Sequence, residues 1–268
     1  MAEVAIVASA FGAQAIWRDG HAAWSRPARR AGAQAFEVRR ELMHDADAQP
    51  DALRALGTAL AGEGLWRVWS TPDALYDEDG ALDEAALSCA LAAGRALGAR
   101  FVKLQLGGFA GDASAARLAS LLEELGARTA GTDERDKASN GPRVVVENGQ
   151  LERGGKLDQF IGLFNALRDG GAPGVIGMTF DIGNWQWPGE PPLLAAAALA
   201  PYVEYIHCKA VVGEGARRFA AAPGDDDTLC RAALALLPTH VPRGIEFPFD
   251  PACVDDDAAR YVEWLAAA

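Results

Sequence analysis

Apolar residues come in two kinds of run along this chain. Short, nearly continuous runs predict buried strands, and longer stretches with apolar positions three or four apart predict helices. Residues 4–9 read as a strand closed by the Phe11-Gly12 turn, and residues 14–25 as a first helix with Pro27 just past its end. A second strand spans residues 35–43. It carries Phe36 and Val38 and ends in a charged run, which places Glu41 or His44 to face a polar pocket, against the ordinary alternative of a solvated strand end. Pro50 opens a helix that runs to Gly62. A strand at 65–70, a helix at 83–97 stopped by Gly98, a strand at 101–106 and a helix at 114–125 follow. The pattern then lapses, and residues 131–142 read as a polar surface loop. Beyond them come a strand at 143–147, a helix at 156–169, a strand at 175–181 and a short helix at 191–199. The last units are a strand at 203–209, a long exit loop, a helix at 227–237, a strand at 242–247 and a closing helix at 254–267. Strict alternation of strand and helix implies a parallel sheet. Eight such units in 268 residues imply a single α/β domain over residues 1–268, a closed (β/α)8 TIM barrel.

The polar residues that break the strand pattern fall at strand ends. The fifth to eighth strands end in Glu147, Asp181, His207 and Glu246, with gaps of 34, 26 and 39 residues. In a (β/α)8 barrel the active site lies at the C-terminal ends of the strands, so these four side chains converge. One of them alone has an ordinary explanation, a core histidine or a helix-capping acid; four at successive strand ends do not share one. Three carboxylates this close repel one another unless a cation sits among them. Oxygen-rich donors with one imidazole suit Mn²⁺ or Mg²⁺ best, with Zn²⁺, Co²⁺ or Ni²⁺ also compatible. Lys103 and Gln105 share one face of the fourth strand, and Lys209 shares the face of His207, so all three are candidate substrate contacts. Asn184 and Trp185 after the sixth strand and Arg217 in the loop after the seventh are further candidates. A solvated loop charge is the better reading of Arg217. Cys208 points away from the face of His207.

Composition narrows the function. Half of the residues are apolar, enough for one large core, and the net charge of −12 opposes binding to a nucleic-acid backbone. No apolar run reaches the roughly 18 residues of a membrane span. The first residues lack the basic start of a signal peptide. Cys89, Cys208, Cys230 and Cys253 are scattered without a CxxC pair, as expected of reduced thiols in a cytoplasmic protein. The expected partner is a small molecule, not a membrane or a nucleic acid; the sequence is compatible with a homo-oligomer.

The strings Val-Val-Val-Glu147-Asn148, Phe-Asp181-Ile-Gly-Asn184-Trp185, Ile-His207-Cys-Lys209 and Gly-Ile-Glu246 resemble the xylose-isomerase-like TIM barrels, the sugar-phosphate isomerase/epimerase superfamily. The resemblance covers the eight-unit layout and is most specific over residues 143–249. It implies that Glu147, Asp181, His207 and Glu246 bind one divalent metal. It also implies that Glu147 and Glu246 act as acid and base on opposite sides of a substrate carbon. A divalent ion chelated by a ketone and its neighbouring hydroxyl acidifies the adjacent C–H, giving an enediolate on deprotonation. The expected activity is therefore a metal-dependent isomerase or epimerase of a small keto-sugar, sugar phosphate or related polyol ketone. The same platform serves a dehydratase of a cyclic hydroxy-ketone such as 3-dehydroshikimate or an inosose; a non-catalytic sugar-binding barrel is a third reading. Two departures bear on the choice. Family members often carry histidines where this chain has Asn184 or Trp185, and where it has Gln150. The endonuclease branch needs several mouth histidines, which this acidic chain lacks.

Overall fold

The strand at each step is set by side chains that alternate between two environments, helices outside and a closed interior. The computed structural model describes residues 1–127, 141–224 and 227–268. Eight parallel strands close the barrel in the order β1-β10-β7-β6-β5-β4-β3-β2. They are β1 (Val4–Val7), β2 (Ala35–Arg39), β3 (Trp66–Tyr76), β4 (Phe101–Gly107), β5 (Arg143–Glu147), β6 (Gly177–Asp181), β7 (Val203–Cys208) and β10 (Arg243–Ile245). An antiparallel hairpin of β8 (Ala210–Val212) and β9 (Phe219–Ala221) follows β7. Nine α-helices lie among the described residues: α1 (Ala13–Asp19), α2 (Ser25–Arg30), α3 (Pro50–Gly62), α4 (Glu84–Leu97), α5 (Asp112–Glu124), α6 (Leu157–Asp169), α7 (Pro192–Leu199), α8 (Thr228–Leu236) and α9 (Val254–Ala267).

Outward-facing strand residues such as Ile6, Val38, Leu104, Val146, Phe180 and Ile206 form one core with helix residues such as Leu91, Leu122, Phe160 and Leu199. The interior is built differently. Ala5, Ala35, Val68, Phe101, Val145 and Tyr205 make a small apolar plug. Two residues further along the same strands stand Glu37, Ser70, Lys103, Glu147 and His207, all buried. The interior therefore changes from apolar to charged within one pleat, towards the ends of the strands. Below the plug, Arg143 pairs with Glu204 at 2.5 Å. Glu204 is the extra residue where the register between β6 and β7 shifts between Met178 and Thr179.

Several boundaries differ from those read in the sequence. The first helix divides at Gly20, whose φ of +75° a helix cannot continue through; a 3-10 turn (His21–Trp24) intervenes and Pro27 lies inside α2. Proline is tolerated there because the first turn of a helix needs no N–H donors. β2 stops at Arg39, as the charged run turns into a 3-10 helix (Arg40–Leu42). β3 runs on to Tyr76 across a break in register after Ser70. The exit loop after β7 is ordered as the β8–β9 hairpin, and β10 ends one residue before Glu246. Of the expected loop at 131–142, residues 131–140 lie outside the described residues.

Candidate metal centre

Register brings the four strand-end residues together. Asp181 pairs with His207 across β6 and β7, and Gly244 of β10 pairs with His207 on its other side. Glu246 follows, its N–H donating to Cys208 O at 3.2 Å. A Cβ on Gly244 would stand 2.5 Å from Tyr205 Oη and 2.8 Å from His207 Cδ2, so the approach of β10 to the imidazole requires glycine there.

Each side chain is held by one atom and offers another. His207 Nε2 lies 2.8 Å from Glu37 Oε2. A carboxylate only accepts, so Nε2 carries a proton and Nδ1 is the ring atom turned to the cluster. Asp181 Oδ1 accepts the Asn184 N–H at 2.8 Å, and Oδ2 faces the cluster. Glu147 Oε2 accepts from Lys103 Nζ (2.6 Å) and Gln105 Nε2 (2.7 Å). Glu246 Oε1 accepts from Arg39 at 2.5 Å. The remaining atoms converge: His207 Nδ1 is 2.7 Å from Glu147 Oε1, 3.3 Å from Glu246 Oε2 and 3.8 Å from Asp181 Oδ2. One donor atom from each of the four residues lies within 4.8 Å of the others.

These residues fit a divalent cation. Glu147 Oε1 and His207 Nδ1 are buried and make no hydrogen bond, and Asp181 Oδ2 faces them with the Lys209 ammonium 2.8 Å away, an arrangement that favours a cation at their centre. The electrostatics agree. Burial, reinforced by the Glu246 and Glu147 carboxylates against the pull of Lys209, raises the Asp181 carboxyl to about 7. Burial would lower the His207 imidazole, but Glu37, Glu246 and Glu147 hold it well above its ordinary value. Burial is also outweighed at Glu37, which Lys103 and His207 hold down at about 2. Lys103 and the imidazole likewise keep Glu147 well below the usual carboxylate range despite its burial. A potential that retains a proton on His207 also draws a cation.

The other sequence candidates are placed variously. Lys103 is fully buried beneath the carboxylates, 3.3 Å from Glu37 Oε1, and is a counter-ion to the cluster. Gln105 is half-buried and lines a cavity of about 350 Å³ with Tyr76, Gln150 and Arg153. Lys209 Nζ lies 2.8 Å from Asp181 Oδ2 and 2.7 Å from Glu246 Oε2. Asn184 ties loops together: its Nδ2 donates to Asn148 O at 2.8 Å, and its Oδ1 accepts from Gln150 at 3.2 Å. Trp185 corrects an expectation, since the ring is fully buried between Phe160 and Phe180 and offers no face to a ligand. Nearer the cluster than Trp185 is half-buried Trp187, whose ring centroid lies 5.9 Å from Lys209 Nζ. Arg217 is exposed in the turn (Gly215–Arg217) between β8 and β9, a solvated loop charge. Beyond β2, Glu41 pairs with Arg39 at 2.6 Å and His44 packs against Trp17, so neither supplies the inward charge; Glu37 and Arg39 on β2 do. The signal was present in the alternation Ala35, Glu37, Arg39, which puts all three on the face of the apolar plug.

The family model described as a xylose isomerase-like TIM barrel matches residues 26–249, and the chain belongs to that family. Among solved structures, the chain is similar to D-psicose 3-epimerase with D-tagatose from Clostridium cellulolyticum H10. Identity is 11% and the TM-score 0.65, over 99% of this chain and 98% of that one. It is similar to D-allulose 3-epimerase from a Methylomonas species, in complex with D-allulose, at 15% identity and a TM-score of 0.63, over 99% and 96%. It is also similar to a probable 3-DHS dehydratase from Bacillus anthracis at 12% identity and a TM-score of 0.59, over 99% and 98%. No curated protein matches the chain. At these identities the similarities establish the fold. No helix among the described residues is long and apolar enough to cross a membrane.

Proposed function

We propose that this protein is a divalent-metal-dependent isomerase or epimerase of a small keto-sugar or related polyol ketone. The observation that carries the reading is the convergence of Glu147, Asp181 and Glu246 oxygens on His207 Nδ1 at the mouth of the barrel. A divalent cation held by these four groups, Mn²⁺ or Mg²⁺ by the hardness of the donors, would polarise a ketone oxygen and acidify the neighbouring C–H. Glu147 and Glu246 enter from strands on different sides of the cluster, as proton transfer on two faces of one carbon requires. Lys103 and Gln105 orient Glu147, and Arg39 orients Glu246. These partners keep a carboxylate ionised until substrate arrives, ready to take the C–H proton; the other glutamate, having taken up a proton from solvent, would return it to the opposite face or to the neighbouring carbon, and the pair would re-equilibrate with solvent between turnovers.

A dehydratase of a cyclic hydroxy-ketone is the second reading. It is favoured by the hydrogen bond between Gln150 and Asn184, which fills with amides two places where sugar epimerases of this superfamily often carry histidine. The four free cysteines suit a reducing, cytoplasmic setting. The test is solvent deuterium exchange at the carbon beside the carbonyl, with Mn²⁺ present, across ketoses and cyclic hydroxy-ketones. Exchange without loss of water supports the first reading, and elimination the second. Glu246→Gln should lower turnover by at least about 100-fold, the usual size of a general acid–base contribution. Undiminished turnover in this variant removes Glu246 from the chemistry.

A further inference from the structure

The cluster contains more fixed cations than a metal site needs. Four buried or half-buried carboxylates, Glu37, Glu147, Asp181 and Glu246, face Lys103, Arg39 and Lys209. The three cations do not occupy equivalent places. Lys103 takes Glu147 Oε2, and Arg39 takes Glu246 Oε1. Both are the outer oxygens, turned away from His207 Nδ1. Lys209 alone takes inner ones: its Nζ lies 2.8 Å from Asp181 Oδ2 and 2.7 Å from Glu246 Oε2, the same oxygens that approach Nδ1 at 3.8 and 3.3 Å. Its position is built. The stem lies against the loop after β6 at Gly183, where a Cβ would meet Lys209 Cγ at 2.7 Å. The ammonium also has a second partner at hand, since the face of half-buried Trp187 lies 5.9 Å away.

We propose that the Lys209 ammonium is a resident stand-in for the divalent cation: it fills part of the metal's seat in the empty site and is displaced towards Trp187 when the ion enters. This rests on the metal-dependent reading above and adds to it how that site regulates its own loading. An empty site without Lys209 would leave buried carboxylates repelling one another, so the lysine keeps the metal-free barrel folded at the expense of metal affinity.

The test is Mn²⁺ binding to protein stripped with a chelator, followed by titration against a chromophoric competitor, for wild type, Lys209→Met, Lys209→Gln and Lys103→Met. Removing either lysine removes one buried positive charge from the cluster, Lys103 beside Glu147 and Glu37 and Lys209 beside Asp181 and Glu246, so a general field effect strengthens Mn²⁺ binding to a similar extent in both. Competition for the seat predicts a gain on the order of tenfold in the Lys209 variants over that in Lys103→Met. It also predicts a lower thermal midpoint for metal-free Lys209→Met that Mn²⁺ raises by more than it raises wild type. A Lys209→Met chain that folds only with Mn²⁺ present is the same result carried further, and Lys209→Gln then supplies the affinity. Equal gains in the Lys103 and Lys209 variants, or weaker binding without Lys209, overturn the proposal while leaving the metal site standing. Absence of Mn²⁺ binding in every form, wild type included, overturns the metal site itself and this proposal with it.

Discussion

His207 presents Nδ1 to the cluster because Glu37 holds its Nε2 proton. Carboxylates that orient a ligating imidazole typically account for 10- to 100-fold in metal affinity. Glu37→Gln keeps the shape but loses the charge that faces both His207 and Lys103. It should weaken Mn²⁺ binding by about tenfold, measured by the same competitive titration. An unchanged affinity would mean that the other ligands fix the ring by themselves. At this scale the sequence carried most of the candidate cluster. Glu147, Asp181, His207 and Glu246 were legible because each stands at the end of an apolar strand, where a charge has few structural reasons to be. Glu37 was not, because it lies inside its strand and the louder charges Arg39 to Glu41 follow it. Trp185 was misread for a related reason. Position after a strand end does not say whether a ring turns to the mouth or to the helices, and here Phe160 and Phe180 enclose it.

Among the elements, β10 is the most constrained. It is three residues long, and Gly244 lets it lie against both Tyr205 and His207. Gly244→Ala would force β10 from β7 and tilt the imidazole. The expected cost is about 1–3 kcal/mol, typical of overpacking in a tight interior, with a parallel loss of metal affinity. Urea denaturation with and without Mn²⁺ measures both; a loss of stability with intact affinity would show that the strand yields without moving His207. α4 gives a simpler case. Asp83 accepts the Ala86 N–H at 2.8 Å as its N-cap, and Gly98 closes it in the left-handed conformation. Helices such as this one, and α3 and α9 with it, followed the expected limits because caps and periodicity are local. The division of the first helix at Gly20 and the extension of β3 past Ser70 did not, because both depend on what packs against the chain. The Arg39 N–H reaches back to His21 Nε2 at 3.1 Å, which fixes the 3-10 turn against β2.

That same contact makes the stability of the whole molecule sensitive to acid. Burial pushes the His21 imidazole down from 6.5 to about 4, and Nε2 can accept the Arg39 N–H only on the neutral ring. The unfolded chain therefore takes up a proton near pH 6.5 while the folded chain resists until about pH 4. The contribution of His21 is constant above pH 6.5 and declines as pH falls towards 4, by about 3 kcal/mol in all. Denaturation midpoints followed between pH 7 and pH 4 should show this decline, and His21→Gln should remove most of it; an equal decline in the variant would assign it to other groups. For the molecule as a whole, the sequence by itself determined the number and order of strand–helix units, hence the closed parallel barrel, and the four groups gathered at its mouth. Both follow from local periodicity and from the rule that parallel strands end on one side. Only the tertiary structure decided which oxygen of each carboxylate faces inward, that Glu37 and Arg39 belong to the cluster, and that Lys209 stands between two of its carboxylates. Those facts depend on the register between strands far apart in sequence, and a charge buried in a closed interior is placed by whichever partners neutralise it there.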